Sequence, residues 1–228
     1  MNVFSIAEIG VNHLGSFDKA LRMMYKARDV GASAVKFQKY NPIKVLGKNH
    51  PALNDAHQLS WAELTQLSKE AHWIGLKFGC SVFDVNDVPI VDAISDFHKV
   101  ASRMNLRQEF ISAIDKCKKP TYISIQPELG IRIPDRFNLL WCIREYPSLK
   151  EDVLKYTYNK NFGLSSHCPD WTASYEAVKQ GATVIENHVK ESDEDLGCDM
   201  SSSLNFNDYE LLLKAVAAFR REVCPQTP

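Results

Sequence analysis

Residues 163–190 constrain the fold of this chain most strongly, because their pattern predicts a strand, a helix and a second strand in succession. The run 162–166 is short and largely apolar, and Asp170 can cap a helix whose apolar residues recur at helical spacing. Gly181 ends that helix, and residues 182–189 form a second apolar run. A unit of this length joins two parallel strands through a right-handed crossover.

Two histidines lie at or near the ends of these predicted strands, His167 on the first and His188 on the second. Parallel strands end at the same edge of a sheet, so both imidazoles reach one rim. Neutral imidazoles on neighbouring strand ends can hold one divalent metal. The alternative is a pair of unrelated histidines that hydrogen-bond at a sheet edge. Their position favours the metal site, because α/β proteins place their chemistry at this edge.

The composition excludes several classes of protein. The chain has 228 residues, with 27 basic and 28 acidic side chains, so no basic surface for nucleic acid or for a membrane is expected. The N-terminus lacks the pattern of a signal peptide, and no apolar stretch approaches membrane-spanning length. The six cysteines are scattered without a CxxC pair. These features predict a cytoplasmic protein with reduced thiols.

The alternation of strands and helices continues along the whole chain. Further strands are predicted at 3–9, 34–38, 77–81, 97–101, 121–125 and 137–143. Helices are predicted between most of them, including one at 148–158 and a last one capped by Asn207. Only about a dozen residues separate the fifth strand from the sixth, so the helix after strand five is expected to be shortened or missing.

Eight such strands predict a (β/α)₈ TIM barrel, formed as a single domain by residues 1–228. An open doubly wound sheet is the alternative. The first strand–helix turn, GVNHLG, lacks the GxGxxG pattern, which counts against a dinucleotide-binding sheet. Residues 39–59 form a long polar connection, and connections of this length are typical of lids and binding loops.

Polar side chains stand at the carboxyl ends of most predicted strands. They are Glu8, Lys36, Gln38, Ser81, Lys99, Ser102, Ser124, Gln126, Ser165, His167, Glu186 and His188. Members two residues apart share one face of a strand, because side chains alternate. Two lysines and several hydroxyl groups beside a metal suit a small substrate that carries phosphate and carboxylate groups. Taken singly, each lysine could be a solvated strand end and each serine a local cap.

Six blocks of sequence resemble, in the same order, those of the sialic acid synthase family, the phosphoenolpyruvate-dependent nonulosonic acid synthases. The blocks are AEIGVNHLGS (7–16), GASAVKFQ (31–38), HKVAS (98–102), LLWCIREYP (139–147), GLSSH (163–167) and GATVIENHV (181–189). The resemblance covers nearly the whole chain. It implies a (β/α)₈ barrel that condenses phosphoenolpyruvate with the open aldehyde form of an N-acetylated amino sugar and releases phosphate.

The resemblance also implies roles for single residues. His167 and His188 would hold a divalent metal, with Mn²⁺ favoured and Mg²⁺ or Co²⁺ as alternatives. Phosphoenolpyruvate would be bound by Lys36, Ser81, Lys99, Ser102, Ser124 and Ser165. The residues facing the sugar or the reacting centre would be Glu8, Gln38, Tyr146 and Asp199. Glu8, Lys36, Gln38, Lys99 and Asp199 are accordingly the predicted catalytic residues.

The chain departs from the family pattern at three places. Ser166 stands where the family has an acidic residue, and Ser124-Ile125-Gln126-Pro127 stands where it has STGM. The family's C-terminal antifreeze-like domain is not part of this sequence, and the expected partners are a second copy of the chain, as a homodimer, or a separate chain that supplies this domain. The loop 39–59 would then cover the sugar with Lys44, Lys48, Asn49, His50, Asn54 and His57.

Two other functions stay open. One is a barrel lyase or aldolase, either metal-dependent or with Lys36 or Lys99 forming a Schiff base. The other is a non-catalytic relative that binds a sugar.

Overall fold

The computed structural model describes residues 3–49, 57–126 and 132–223. The strands are β1 (Phe4–Gly10), β2 (Ala34–Lys39), β3 (Lys77–Val82), β4 (His98–Val100), β5 (Thr121–Ile125), β6 (Asn138–Cys142), β7 (Phe162–Ser166), β8 (Val184–Lys190) and β9 (Leu204–Asn205). The α-helices are α1 (Phe17–Asp29), α2 (Pro42–Leu46), α3 (Trp61–Trp73), α4 (Val88–Ile94), α5 (Gln108–Lys116), α6 (Lys150–Val153), α7 (Trp171–Lys179) and α8 (Phe206–Val223). Short 3₁₀ turns cover Val85–Asp87 and Met200–Ser202.

The parallel strands β1 to β8 form a nearly closed barrel. Their order is β3-β2-β1-β8-β7-β6-β5-β4, and β9 pairs with β8 outside this path. A single parallel bridge between Gly79 of β3 and Phe97, just before β4, joins the two ends of the sheet. Gly79 is required there, because a Cβ atom would lie 2.4 Å from the Phe97 ring. The predicted (β/α)₈ barrel is confirmed, and the open doubly wound sheet is excluded.

Local sequence signals fix several helix starts as predicted. The Ser16 hydroxyl accepts a hydrogen bond from the Lys19 amide and caps α1. Ser60 and Glu63 form a reciprocal capping box at the start of α3. The Asp170 carboxylate accepts from the backbone N–H of α7 at 2.9 Å. A cap of this kind contributes about 1 kcal/mol of helix stability.

Two local predictions need correction. The helix predicted at 148–158 is wrong in its extent, because only Lys150–Val153 is helical. The backbone N–H of Tyr158 donates to the side-chain oxygen of Gln180 and not to a carbonyl of its own segment, so the helix does not continue to this residue. The last helix is capped by Asn205 rather than Asn207, since the Asn205 side-chain oxygen accepts from the Asp208 amide at 2.9 Å.

The two loop predictions fall partly outside the described residues. The connection 39–59 contains α2, so its beginning is helical rather than irregular, while His50 and Asn54 lie outside the described residues. Between β5 and β6, residues 126 and 132–137 hold no helix. This agrees with the expected shortening there, and Pro127 lies outside the described residues.

Inward-facing side chains change from apolar to polar along the barrel axis. At the amino ends of the strands, Phe97 packs edge-on against Phe4 and Tyr122, with ring centroids 5.8 and 5.5 Å apart. Ile6 and Ala34 belong to the same apolar cluster. A second, larger core lies between the strands and the surrounding helices. The aromatic cluster fills the amino end of the barrel, so the polar interior opens at the carboxyl end.

Across the described ranges, no helix combines the length and the apolar character needed to cross a membrane.

Candidate active site

The strand register brings the predicted polar residues together inside the barrel. Glu8 on β1 lies beside Lys36 on β2, and also beside His188 on β8. Ser165 on β7 lies beside Glu186 on β8. Because alternate side chains of a strand share one face, these groups all point inward, one layer above the aromatic cluster. Glu8 and Lys36 are at most 2 % exposed, which places them away from bulk water.

The two lysines are fixed by hydroxyl groups and share one carboxylate. The Lys36 ammonium donates to the Ser81 hydroxyl at 2.9 Å and forms an ion pair with Glu8. The Lys99 ammonium donates to the Ser124 hydroxyl at 2.7 Å. Glu186 lies between them, with oxygens 3.8 Å from the nitrogen of Lys36 and 3.3 Å from that of Lys99.

Ser165 completes this arrangement. Its hydroxyl donates to Glu186 at 2.8 Å. The backbone carbonyl of Ser124 accepts a hydrogen bond from the side-chain amide of Asn105 at 2.8 Å, which holds the end of β5 in place. Ser124, Ser165 and the two lysines therefore line one small space of about 30 Å³, which we call the inner site, while Ser81 contacts it through Lys36.

Burial and charge set the protonation of these groups. Burial, with a smaller contribution from the nearby Lys99, lowers the pKa of Lys36 to about 8, although the carboxylate of Glu186 opposes this. Burial would raise the pKa of Glu186, but the ammonium groups of Lys36 and Lys99 outweigh it and hold that pKa well below its usual range. Glu186 is therefore ionised at neutral pH.

The two predicted metal ligands meet at the carboxyl rim, with ring centroids 5.5 Å apart. Nδ1 of His167 donates to the carbonyl of Ile143 at 2.6 Å, and Nε2 accepts from the hydroxyl of Tyr146 at 2.7 Å. Nδ1 of His188 is buried and has no hydrogen-bond partner within residues 3–49, 57–126 and 132–223, and it lies 3.8 Å from a carboxylate oxygen of Asp199.

Both imidazoles are kept neutral. Burial lowers the pKa of His167 to about 4. Burial, with His167 beside it, lowers the pKa of His188 well below its usual value. Neutral imidazole is the form that binds metals, and a hydrogen bond from its other nitrogen to a carbonyl is a common way to fix the ligand's orientation. The orphaned nitrogen of His188 and the carbonyl-anchored ring of His167 therefore fit a divalent metal.

A wider cavity of about 250 Å³, here called the outer cavity, adjoins the inner site. Gln38, Ser102 and Tyr146 line both. The other polar or aromatic side chains of the outer cavity are those of Tyr40, Phe83, Arg103 and Asp199. Burial raises the pKa of Asp199, although Arg103 and Lys36 oppose this. Aromatic walls with a few converging polar groups suit a sugar-sized ligand.

All the predicted site residues thus lie in or beside these two cavities. Sequence reasoning assigned no role to Glu186, although its place two residues before His188 put it on the same inward face. Arg103 and Tyr40 were missed altogether. Arg103 directly follows Ser102 and Tyr40 lies two residues after Gln38, and these positions just beyond predicted strand ends were the available signal.

A second group of metal-type ligands lies outside the barrel interior. It consists of Asp92, His98 and Cys117. His98 hydrogen-bonds Asp92 at 2.9 Å, and the ammonium of Lys119 lies 3.5 Å from the same carboxylate oxygen. Because Lys119 already balances the charge of Asp92, this group is explained as a network that joins α4, β4 and the end of α5.

Comparison with known proteins places this geometry in a family. The chain is 28% identical over 250 residues to the pseudaminic acid synthase of Campylobacter jejuni, covering 94% of this chain and 73% of that protein. It is 28% identical over 256 residues to the human N-acetylneuraminate-9-phosphate synthase, covering 96% and 70%. A crystal structure of N-acetylneuraminic acid (sialic acid) synthetase from Leptospira borgpetersenii superposes with a TM-score of 0.87 at 26% identity. That match covers 100% of this chain and 87% of the other.

The family model described as NeuB family matches residues 23–126 and 131–224, which is most of the chain. The match confirms the family predicted from the sequence blocks. The chain therefore belongs to the NeuB family.

Proposed function

We propose that this chain is a phosphoenolpyruvate-dependent synthase that joins phosphoenolpyruvate to an N-acetylated amino sugar and forms a sialic-acid-like nonulosonic acid. The relatives are named synthases of such acids, in agreement with the reaction class predicted from the sequence. One observation of the chain itself carries the proposal. Two buried lysines with hydroxyl partners face the same space as two neutral histidines, next to a cavity of sugar size.

The side chains of the inner site are the proposed contacts of phosphoenolpyruvate, which is too large for that space alone and would extend into the adjoining outer cavity. Lys36 and Lys99 would make charge-assisted hydrogen bonds to its phosphate and carboxylate groups. The hydroxyls that would add neutral hydrogen bonds are those of Ser81, Ser102, Ser124 and Ser165. Ammonium groups fixed in a water-poor site also stabilise the charge that moves onto the departing phosphate.

His167 and His188 are the proposed metal ligands, with Mn²⁺ favoured. When bound, the metal would act as a Lewis acid that polarises the aldehyde of the sugar. The protein supplies the rest of the site. The Ile143 carbonyl holds the ring of His167, and burial keeps both imidazoles neutral.

The outer cavity is the proposed place of the amino sugar. In the reaction, the methylene carbon of phosphoenolpyruvate forms a bond to the aldehyde carbon, whose oxygen gains a proton. Water then adds to the former enol carbon, and the bond from that carbon to the phosphate oxygen breaks. Asp199 is placed to hold the proton for the new hydroxyl, because burial raises its pKa and it lies beside His188. Glu8 and Gln38, which line the inner site, would orient the reacting atoms from the barrel interior.

The predicted lid has partial support. Tyr40 and Val45 belong to the connection 39–59, and both line the outer cavity. We propose that this connection contacts the sugar. A homodimer, or a separate chain that carries an antifreeze-like domain, stays a prediction.

The test is phosphate release from phosphoenolpyruvate with a panel of N-acetylated hexosamines and their phosphates, with Mn²⁺ present and then chelated. Release should require a sugar from the panel and the metal, and Lys99→Met should abolish it without unfolding the protein. A surface variant such as Lys214→Met serves as the control. No release with any sugar, while phosphoenolpyruvate and Mn²⁺ both bind, would favour the non-catalytic relative.

The lowered pKa of Lys36 also favours testing the Schiff-base alternative. Borohydride would trap a covalent adduct on Lys36 in such a lyase, and the synthase should give none.

A further inference from the structure

Tyr146 stands at the junction of the inner site and the outer cavity. Its ring stacks on the imidazole of His167, with centroids 3.8 Å apart and planes inclined by 29°. Its hydroxyl hydrogen-bonds Nε2 of the same ring at 2.7 Å. The residue is 44 % exposed, so one side of the ring faces the open mouth of the barrel.

The hydrogen bonds of His167 determine which of its nitrogens can bind a metal. A carbonyl oxygen can only accept, so Nδ1 must carry the hydrogen that bonds Ile143 at 2.6 Å. In a neutral ring the other nitrogen, Nε2, then has the lone pair. That lone pair is the one that accepts from the hydroxyl of Tyr146. Tyr146 and a metal therefore compete for one nitrogen.

We propose that Tyr146 is a placeholder for the metal, meaning that its hydroxyl occupies the metal-binding nitrogen of His167 until a metal arrives. This inference rests on the metal site proposed above. Metal binding breaks the hydrogen bond and releases the hydroxyl. The amide of Ser148 donates to the His167 carbonyl at 3.0 Å, so the backbone stays attached to β7 and the side chain alone has to turn.

The released hydroxyl would have a new use, because Tyr146 also lines the outer cavity with Gln38 and Asp199. A free phenol there can hydrogen-bond a sugar hydroxyl or the N-acetyl group. Since the metal frees a group that the sugar then uses, the two should bind with positive coupling, and the coupling is reciprocal. Tyr146 is thus a positioning residue that links metal loading to readiness for the acceptor.

The test measures Mn²⁺ binding by calorimetry and by electron paramagnetic resonance of the free ion. Tyr146→Phe removes only the hydroxyl oxygen, so no hydrogen bond has to be broken when Mn²⁺ binds. Its Mn²⁺ affinity should exceed that of the wild type by about threefold to tenfold, the range expected for one neutral hydrogen bond. Tyr40→Phe is the matched control, because Tyr40 lines the outer cavity and its ring packs on Phe83 rather than on a histidine. It should bind Mn²⁺ as the wild type does.

A second readout follows the phenol itself. Adding Mn²⁺ should produce a tyrosine ultraviolet difference spectrum in the wild type and in Tyr40→Phe, but not in Tyr146→Phe. The His167→Ala/His188→Ala double variant should show neither binding nor the spectrum.

The outcomes separate the placeholder from the metal site. If the double histidine variant loses Mn²⁺ while Tyr146→Phe binds it no more tightly than the wild type, the metal site stands and the placeholder is refuted. If the wild type binds no Mn²⁺, or the double variant binds it unchanged, both the site and the placeholder are refuted.

Discussion

Replacing Lys36 by methionine should weaken phosphoenolpyruvate binding and also remove its dependence on pH above neutrality. Burial lowers the pKa of Lys36 to about 8. The charged or titratable groups facing its ammonium are Glu8, Glu186, Lys99, Cys80 and Asp199. As pH rises through this value the ammonium becomes a neutral amine, which no longer attracts an anionic substrate.

The size of the effect follows from that pKa. One unit above it, about a tenth of the lysine remains charged, so affinity should fall roughly tenfold from about pH 7 to about pH 9. The phosphate of the substrate does not contribute, since phosphate monoesters lose their second proton near about pH 6. Stability should change in the opposite direction. The unfolded chain keeps its proton to the usual value of 10.5, so folding stability from this group rises between pH 8 and 10.5.

Calorimetric titration with phosphoenolpyruvate at three pH values checks the prediction, and thermal unfolding at the same values checks the fold. Lys99→Met is the matched control. It should bind about tenfold more weakly or worse at neutral pH, from the loss of one charge-assisted hydrogen bond. Its affinity should still fall as Lys36 loses its proton, but at a higher pH, because Lys99 no longer lowers the pKa of Lys36. A constant affinity of the wild type across this range, or an equal slope in Lys36→Met, would refute the reasoning.

Three further predictions concern one proposed metal ligand and the stability of the barrel. His188→Ala should lose Mn²⁺ binding in calorimetry while still unfolding cooperatively on heating, because its buried Nδ1 has no hydrogen-bond partner among the described residues; unchanged binding would contradict the site. Ser60→Ala should lower the free energy of unfolding in urea by about 1 kcal/mol, since the capping box of α3 is lost, whereas Ser112→Ala on α5 should change it little. Gly163→Ala should destabilise the barrel by about 1–3 kcal/mol in the same assay, because its Cβ would lie 2.4 Å from the backbone carbonyl of Val184. Wild-type stability of that variant would show that β7 and β8 are not as close as described.

The barrel was predictable because its strands carry a simple periodic signal. Short, partly apolar runs of six or seven residues with polar side chains near their carboxyl ends predict strands, and the alternation of side chains then predicts which ones share a face without any knowledge of the partner strands. Glu8, Lys36 and His188 were found in this way. Parallel strands run in the same direction, so a residue near the carboxyl end of one strand lies beside residues near the carboxyl ends of its neighbours.

Features that depend on three-dimensional neighbours were not predictable. The helix expected at 148–158 has helical composition. The backbone N–H of Tyr158 nevertheless donates to the side-chain oxygen of Gln180, and the Tyr158 hydroxyl donates to the carbonyl of Val153. Tertiary contacts overrode a weak local preference. Arg103 lacks any motif of its own, and its place at the outer cavity emerges only when β4 is set beside the loop that carries Asp199.

The charges of the inner site bear on how its substrates can bind. The ammonium groups of Lys36 and Lys99 are matched by the carboxylates of Glu8 and Glu186, so the site is close to neutral before any ligand enters. Phosphoenolpyruvate brings a carboxylate and a phosphate, about three negative charges at neutral pH. An unbalanced charge is costly in a buried site. A divalent metal held by two neutral histidines would offset most of that charge without a further protein cation. The lysines thus give the substrate position and hydrogen bonds, and Glu186 lies 3.8 Å from the nitrogen of Lys36 and 3.3 Å from that of Lys99 before the substrate enters. Phosphoenolpyruvate and the metal are therefore expected to bind more tightly together than either does alone.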